Sequence, residues 1–408
     1  MHVLFVTQAY PPEVGATGYL LAELTEDLIS QGIQTTVLAG SSSSQGLGDS
    51  GGTTTPEGQD GVRVVRSPST RFRRTSFLGR MANWLSYPAA SLLRGMAGLR
   101  RPDLVVCYSA PPTAPPVGYL LAMRWRVPFV LYVQDIYPDV AEAVGVMRAP
   151  ILGSAWRLLN RALYRRAAMV LTLGEYMADR LRGAGVPDGR LAVIHNWADG
   201  RCLYPLPRDQ NPMREALGLA DRFVVLYSGN LGMAHDFRHV CEALVRLYPY
   251  RERLAFLFVG DGVRRREVEA FVRREGLEEL VLFLSSVRQE DLLQSLNMGD
   301  ACLLIMLEGT EGVVVPSKLY AYLAVGRPVL AVCSGPCEVS DILEEAGCGF
   351  VARTGEELAG AVLALMEDEQ MRVSMGHRAR AALDARFERR QATARIAEVL
   401  INVQTESG

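Results

Sequence analysis

Lysine is almost absent from this chain. Of its 43 lysine and arginine residues, only Lys318 is a lysine. So strong a bias would put arginine wherever positive charge alone is needed, so Lys318 marks a position where arginine does not serve. Guanidinium is a wide planar fork, whereas ammonium is a compact, mobile point charge. Net charge is also missing. The balance of 43 basic and 45 acidic residues leaves −2 at pH 7, which gives no global reason to expect nucleic acid as a partner. No apolar run is long enough to span a bilayer. Met1 to Ala9 lack the basic flank and cleavage pattern of a secretory signal and read as a buried strand that starts the fold. The seven cysteines are odd in number and scattered from Cys107 to Cys348. That argues against a disulfide framework or a zinc site and predicts reduced thiols in a cytosolic protein. Cys333 and Cys337 are the nearest pair, and their flanks, a strand end and a helix start, make the spacing a coincidence.

What is present is a full apolar complement, 49% of 408 residues, enough for two or three domains. Short apolar runs alternate with amphipathic stretches: 2–7, 35–39, 62–66, 104–108, 129–133, 170–173 and 191–194 read as strands. Leu20, Leu24 and Leu28 share one face of the first helix. Continuous apolar strands separated by helices imply a parallel sheet covered on both faces. The segment 196–212 breaks the rhythm with three prolines and reads as a linker. Alternation restarts at 223–227, 254–259, 280–284, 301–305 and 329–332. The predicted architecture is therefore α/β, with two doubly wound parallel-sheet domains over 1–200 and 201–385 and a last helix in 386–408. The Ser/Gly/Thr-rich segment 41–58 reads as a mobile loop, either a simple insertion or a lid over an acceptor.

Three glycine-bearing turns follow strands at matched places. Pro11-Pro12-Glu13-Val14-Gly15-Ala16-Thr17-Gly18 follows the first strand, Ser228-Gly229-Asn230-Leu231-Gly232 opens the second half, and Gly260-Asp261-Gly262 follows its next strand. In a doubly wound sheet this is the edge where ligands bind. A single glycine turn is weak evidence, but matched turns in two halves give each half a ligand edge facing the other. The stretch Glu311 to Leu319 is more informative. Pro316 suits a first helical turn, which puts Ser317 and Lys318 where free N–H groups favour phosphate. The competing reading is an exposed lysine at a helix start; the lone-lysine observation favours a ligand.

PPEVGATG, YVQDIYPDVAEAVG, VIHNWAD, LYSGNLG, FVGDG, VPSKLYAYLAVGRPV and EEAGCGFV occur in this order over nearly the whole chain. Together they resemble the family 4 (group 1) glycosyltransferases, particularly the subgroup that builds bacterial surface polysaccharides, with its fucosamine-transferase-like members. The resemblance implies the GT-B arrangement of two Rossmann-like domains facing across a cleft, with the last helix packing back on the first domain. It also implies metal-independent transfer with retention, and no cofactor beyond the nucleotide-sugar donor. On the donor side, Lys318 and the Gly229–Asn230 loop would hold the diphosphate. Gly260 and Gly262 would lie near the nucleotide, Val287 and Arg288 near the base, and Gly15 would reach the phosphate or sugar from the first domain. Two departures stand out. The family's second glutamate, which binds the ribose, falls at Ala321, with Glu311 as an imperfectly spaced substitute. Asn230 and His235 stand where many relatives have a basic pair, which shifts leaving-group charge onto Lys318.

The acid–base candidates lie in Gln134-Asp135-Ile136-Tyr137-Pro138-Asp139. Asp135, at the end of a buried strand, could accept the acceptor's proton or orient the sugar. Asp139 is a first-turn acid or a second candidate, and His195 is structural or catalytic. His235 is a ligand candidate at the opening of a helix. Glu338 opens the helix that approaches the donor sugar in relatives, with N-capping as its alternative role.

From Gly61 to Pro102 there are nine arginines and no acidic residue. Arg71, Arg73, Arg74 and Arg80 interleave with Phe77, Trp84 and other apolar side chains, which fits an anionic lipid interface. A nucleic-acid patch and a solvated helix are the other readings, but no recognised RNA module accompanies the segment. The expected function is transfer of a sugar from a UDP-type donor to a polyprenyl-diphosphate-linked saccharide, at the inner face of the cell membrane and from the cytoplasm. Two rivals keep the fold: a nucleotide-sugar epimerase and a non-catalytic donor-binding scaffold.

Overall fold

The computed structural model describes residues 1–12, 15–40, 54–55, 61–68 and 77–407, with backbone alone at 54–55 and 77–85. The chain forms two compact units. The first holds Met1–Val140, Met147–His195 and the chain from Arg390 on; the second holds Ala141–Val146 and Asn196–Arg389.

The first unit contains β1 (His2–Val6), β2 (Gln34–Gly40), β3 (Thr54–Thr55), β4 (Arg63–Ser67), β5 (Leu104–Tyr108), β6 (Phe129–Tyr132), β7 (Met169–Thr172) and β8 (Leu191–Val193). Among the described residues their order is β3-β4-β2-β1-β5-β6-β7-β8. Every pairing is parallel except β3 with β4, where Thr54 stands opposite Val65. That short strand lies inside the segment read from sequence as a loop; the remainder of 41–58 lies outside the described residues. The core strands are apolar at consecutive positions because helices cover both faces. Chain direction along the sheet reverses at β1, between β2 and β5, which places the ligand edge beyond the ends of those strands. Right-handed crossovers put the helix Ala16–Ser30 on one face and the helices Phe77–Gly98, Ala114–Trp125 and Pro150–Arg166 on the other. The closing helix Arg389–Ser407 meets Ala16–Ser30, where Thr393 Oγ1 donates to Asp27 Oδ2 at 2.9 Å.

The second unit contains β9 (Phe223–Ser228), β10 (Leu254–Val259), β11 (Val281–Leu284), β12 (Ala301–Ile305), β13 (Val329–Val332) and β14 (Gly349–Ala352), all parallel in the order β11-β10-β9-β12-β13-β14. Its switch point lies between β9 and β12. Tyr227, Phe258 and Phe283 form an aromatic file through the core, with centroids 5.8 and 5.3 Å apart. At the opposite end of the sheet Arg214 is buried with Asp300, Nη2 to Oδ2 2.7 Å. Its guanidinium also donates to the carbonyls of Leu219, Met298 and Arg222. The same Asp300 oxygen, Oδ2, also accepts from Val224 N–H at 2.8 Å. All seven cysteines are free thiols, five of them buried.

Candidate functional site

Two strand ends and one short helix build the site in the second unit. After β9 the chain turns at Gly229, whose N–H donates to Val259 O at 2.9 Å. After β10 it turns at Gly260, whose φ of 136° belongs to glycine. A Cβ at Gly260 would stand 2.1 Å from Gly229 O, and one at Gly262 would stand 2.3 Å from Leu231 O. The two turns lie backbone against backbone, and side chains at these glycines would pry them apart. Tyr322 fastens the end of β9: Ser228 N–H donates to its hydroxyl at 2.9 Å and the hydroxyl donates to Ser228 O at 3.2 Å. Tyr227 OH donates to Asn230 O at 2.8 Å, which fixes the next residues of the loop.

Lys318 is the first residue of the helix Lys318–Ala324, with Ser317 at the N-cap making no side-chain cap. The exposed helix-start reading of Lys318 does not hold. Its Nζ is sealed from solvent and has no hydrogen-bond partner among the described residues. The ammonium lies 3.8 Å from the centroid of the Tyr227 ring, a cation–π contact, and a Cβ at Gly229 would come within 3.4 Å of it. Burial pulls its pKa down to about 7. An unpartnered buried ammonium is costly, and an anion bound at this loop would relieve that cost.

The nearby polar groups are already engaged. His235 precedes the helix Arg238–Leu247 by three residues rather than opening it. Burial first, then the Lys318 charge, lowers its pKa to about 3, so its ring is neutral and accepts from Gly232 N–H at 3.1 Å through Nδ1. Arg265 donates to Gly260 O at 2.9 Å and pairs with Asp261 and Glu269. Arg288 is exposed and paired with Glu290 and Asp291, and Val287 beside it is half-buried. The Glu311 carboxylate accepts from Gly309 N–H at 2.7 Å, and Ala321 lies on the Lys318 helix. Glu338 is not a cap: the helix Glu338–Ala346 is capped by Cys337 and Ser340, with Cys337 N–H donating to Ser340 Oγ at 2.8 Å.

In the first unit, Gly15 caps the helix Ala16–Ser30 with an extended backbone, and a Cβ there would meet nothing within 4 Å. Among the described residues nothing demands glycine at this position. Glu13 and Val14 lie outside the described residues. Asp135 follows β6, and Ser109 Oγ accepts from Gln134 N–H at 2.9 Å while donating to Asp135 O at 3.1 Å. Burial raises the Asp135 carboxyl to about 6, within range of a general base near neutrality. Asp139 is held by Arg157 at 2.6 Å, and Asn160 donates to Tyr137 O at 2.6 Å. His195 Nδ1 donates to Leu173 O at 2.8 Å, tying β8's end to β7's. Arg71, Arg73 and Arg74 lie outside the described residues. Phe77, Arg80 and Trp84 are described as backbone only, in the helix Phe77–Gly98.

Residues 15–197 match the glycosyl transferase 4-like domain and residues 209–382 match glycosyl transferases group 1. The chain belongs to the group 1 glycosyltransferases. This glycosyltransferase is 30% identical to the probable glycosyltransferase WbjE of Pseudomonas aeruginosa, over 65% of this chain and 66% of that one, just under two thirds of the relative. It is 26% identical to the putative colanic acid biosynthesis glycosyl transferase WcaI of Escherichia coli, over 84% and 86%. HepE of Anabaena, crystallised with UDP and glucose, has the same GT-B fold, with a TM-score of 0.75 at 21% identity over 98% of this chain and 100% of that one. Sequence reasoning missed the supporting residues of this glycosyltransferase. Tyr322 stands four positions after Lys318 and therefore on the same helix face, a signal that was available. Arg157 and Asn160 carry no such mark, because nothing local links them to the 134–139 loop.

Proposed function

We propose that this glycosyltransferase moves a sugar, with retention, from a UDP-type nucleotide-diphosphate donor to a polyprenyl-diphosphate-linked saccharide during bacterial surface polysaccharide synthesis. It does so as a peripheral protein on the cytoplasmic face of the membrane. The observation that carries the reading is the Lys318 ammonium, buried beside the Gly229 turn without a hydrogen-bond acceptor among the described residues. The acceptor hydroxyl oxygen bonds to the anomeric carbon as the bond from that carbon to the diphosphate breaks. The hydroxyl proton passes to a leaving phosphate oxygen on the same face, with Asp135 placing the acceptor. Charge growing on the leaving group is met by Lys318 and backbone N–H groups, so catalysis is mainly positioning and electrostatic stabilisation, and the reading calls for no resident metal. The UDP complex of HepE and the polysaccharide role in WcaI's name support the choice of donor and setting.

A thermal-shift panel of UDP, GDP and their sugars tests the donor, since a ligand that binds only the native state raises Tm. UDP and one UDP-sugar are expected to raise Tm in the wild type and not in Lys318→Ala. No shift with any nucleotide, or an equal shift in Lys318→Ala, refutes the role of Lys318. Proton NMR of the product tests retention, and an inverted anomeric centre would overturn it.

A further inference from the structure

The helix Pro150–Arg166 is turned apolar side out. Its inward positions include Gly153, Arg157, Asn160, Leu163 and Tyr164, two of which hold the 134–139 loop. Its outward positions include Ile151 (86% exposed), Leu152, Leu158 (69%) and Leu159. The adjoining helix Ala114–Trp125 adds exposed Leu120 and Met123, and the end of Phe77–Gly98 adds Leu93 and Met96. These helices are neighbours on one face of the sheet. A Cβ at Gly95 would meet the Leu121 side chain at 2.7 Å, and the Arg166 guanidinium lies 5.9 Å from the centroid of the Tyr119 ring. Eight of the fourteen large apolar side chains exposed among the described residues therefore fall on three adjacent helices. A soluble surface seldom gathers apolar groups in this way without a partner.

Charge indicates which partner. None of the three helices contains Asp or Glu. Arg124, Arg126, Arg161, Arg165 and Arg166 are exposed among or beside the apolar groups. A second copy docking by this face would set arginine against arginine, which disfavours a symmetric dimer. Single-stranded nucleic acid is read by aromatic platforms, and the large apolar groups exposed on these helices among the described residues are Leu, Ile and Met. Aliphatic side chains rimmed by arginine match an anionic bilayer, whose acyl boundary takes the one and whose headgroups take the other.

We infer that the outward faces of residues 86–98, Ala114–Trp125 and Pro150–Arg166 form a docking surface for anionic lipid, with Ile151 and Leu158 as its main apolar insertions. The inference rests on the membrane setting proposed above but not on Lys318 or the donor. The test uses the full chain in flotation with phosphatidylglycerol/phosphatidylcholine vesicles, against phosphatidylcholine alone. The wild type is expected to float with the anionic vesicles and to be released by salt. Ile151→Ser with Leu158→Ser should weaken flotation roughly tenfold or more, and Arg161→Ser with Arg165→Ser about 25-fold, about fivefold for each charge lost. In both variants Tm and the UDP-induced shift should stay at wild-type values. Wild-type flotation by the apolar variant overturns the inference, as does equal binding to both vesicle types. So does a wild-type dimer in sedimentation equilibrium that Ile151→Ser dissolves. A UDP response without flotation would sink the docking surface while leaving the donor reading intact, and flotation without a UDP response would do the reverse.

Discussion

Two buried cations sit at opposite ends of one sheet in the second unit, and their surroundings could hardly differ more. Arg214, at the end where the strands begin, donates to three carbonyls and to Asp300. Lys318, at the end where they finish, faces an aromatic ring and has no acceptor among the described residues. Both charges are expensive to bury. The first is matched inside the protein, so it serves the fold. The second is unmatched, and the loss is tolerable only if a ligand completes it. The chemistry of each residue suits its place: a fork with five donors saturates fixed carbonyls, whereas a compact ammonium can follow an anion that gains charge during reaction.

The contrast predicts opposite outcomes when each cation is removed. Arg214→Ala leaves the buried Asp300 carboxylate without its counter-charge and should destabilise the protein by about 3–5 kcal/mol, read as a fall in the denaturant midpoint. Lys318→Ala removes an unsatisfied charge, so the free protein should melt at the same temperature or higher. It should nevertheless lose about 10²–10³-fold in turnover, the usual effect of deleting one preorganised electrostatic partner. If Lys318→Ala were the unstable variant and Arg214→Ala the inactive but stable one, the assignment of roles would be reversed.

Proton linkage sharpens the same comparison. Burial holds Lys318 at about 7, below its value of about 10.4 in an unfolded chain. Between those values the unfolded chain binds the extra proton. This group therefore makes the free protein more stable as pH rises through that window, and removes that gain as pH falls toward 7. A bound diphosphate inverts the preference by holding the ammonium charged. Calorimetric titration with UDP at pH 8, in buffers of different ionisation enthalpy, should show uptake approaching about one proton, and affinity should fall as pH rises above 7. Lys318→Met should show no such uptake. Proton-neutral binding by the wild type would mean that the diphosphate rests elsewhere.

Much of this was legible in the primary structure, and the exceptions have physical reasons. The core strands could be read because parallel strands buried on both faces are apolar at consecutive positions. β14 escaped because Gly349 opens it and it lies half-exposed at the sheet edge; four residues with no alternation carry little signal. β3 escaped because two threonines in a Ser/Gly/Thr-rich stretch look like loop until β4 pairs with them. The lone lysine singled out Lys318 by composition, but its burial against Tyr227 depends on contact between residues 91 positions apart. The neutral state of His235 likewise comes from packing. Arg157 and Asn160 were invisible because their partners, Asp139 and Tyr137 O, lie 18 and 23 residues away. The outward-facing leucines of Pro150–Arg166 mislead any reading that assigns the apolar stripe of a helix to the core.

The smallest effects separate space filled by the protein from space left open. At Gly260 a Cβ would strike the Gly229 carbonyl at 2.1 Å, and φ is 136°. Gly260→Ala should therefore cost about 1–3 kcal/mol of stability through backbone strain, with donor affinity falling because the Gly229 turn must move. At Gly15 the backbone is extended and the same atom would meet nothing within 4 Å among the described residues. Gly15→Ala should leave Tm within about 0.5 kcal/mol equivalent of wild type, as for a surface substitution that breaks no contact. If Gly15 serves to let a ligand approach the backbone, this variant should still raise KM for the donor while Tm stays fixed. Measuring both variants for Tm and for donor KM distinguishes the cases. A stable Gly15→Ala with unchanged KM would mean that the first glycine turn is only a helix start. A destabilised one would mean that the open space is already filled by the protein itself.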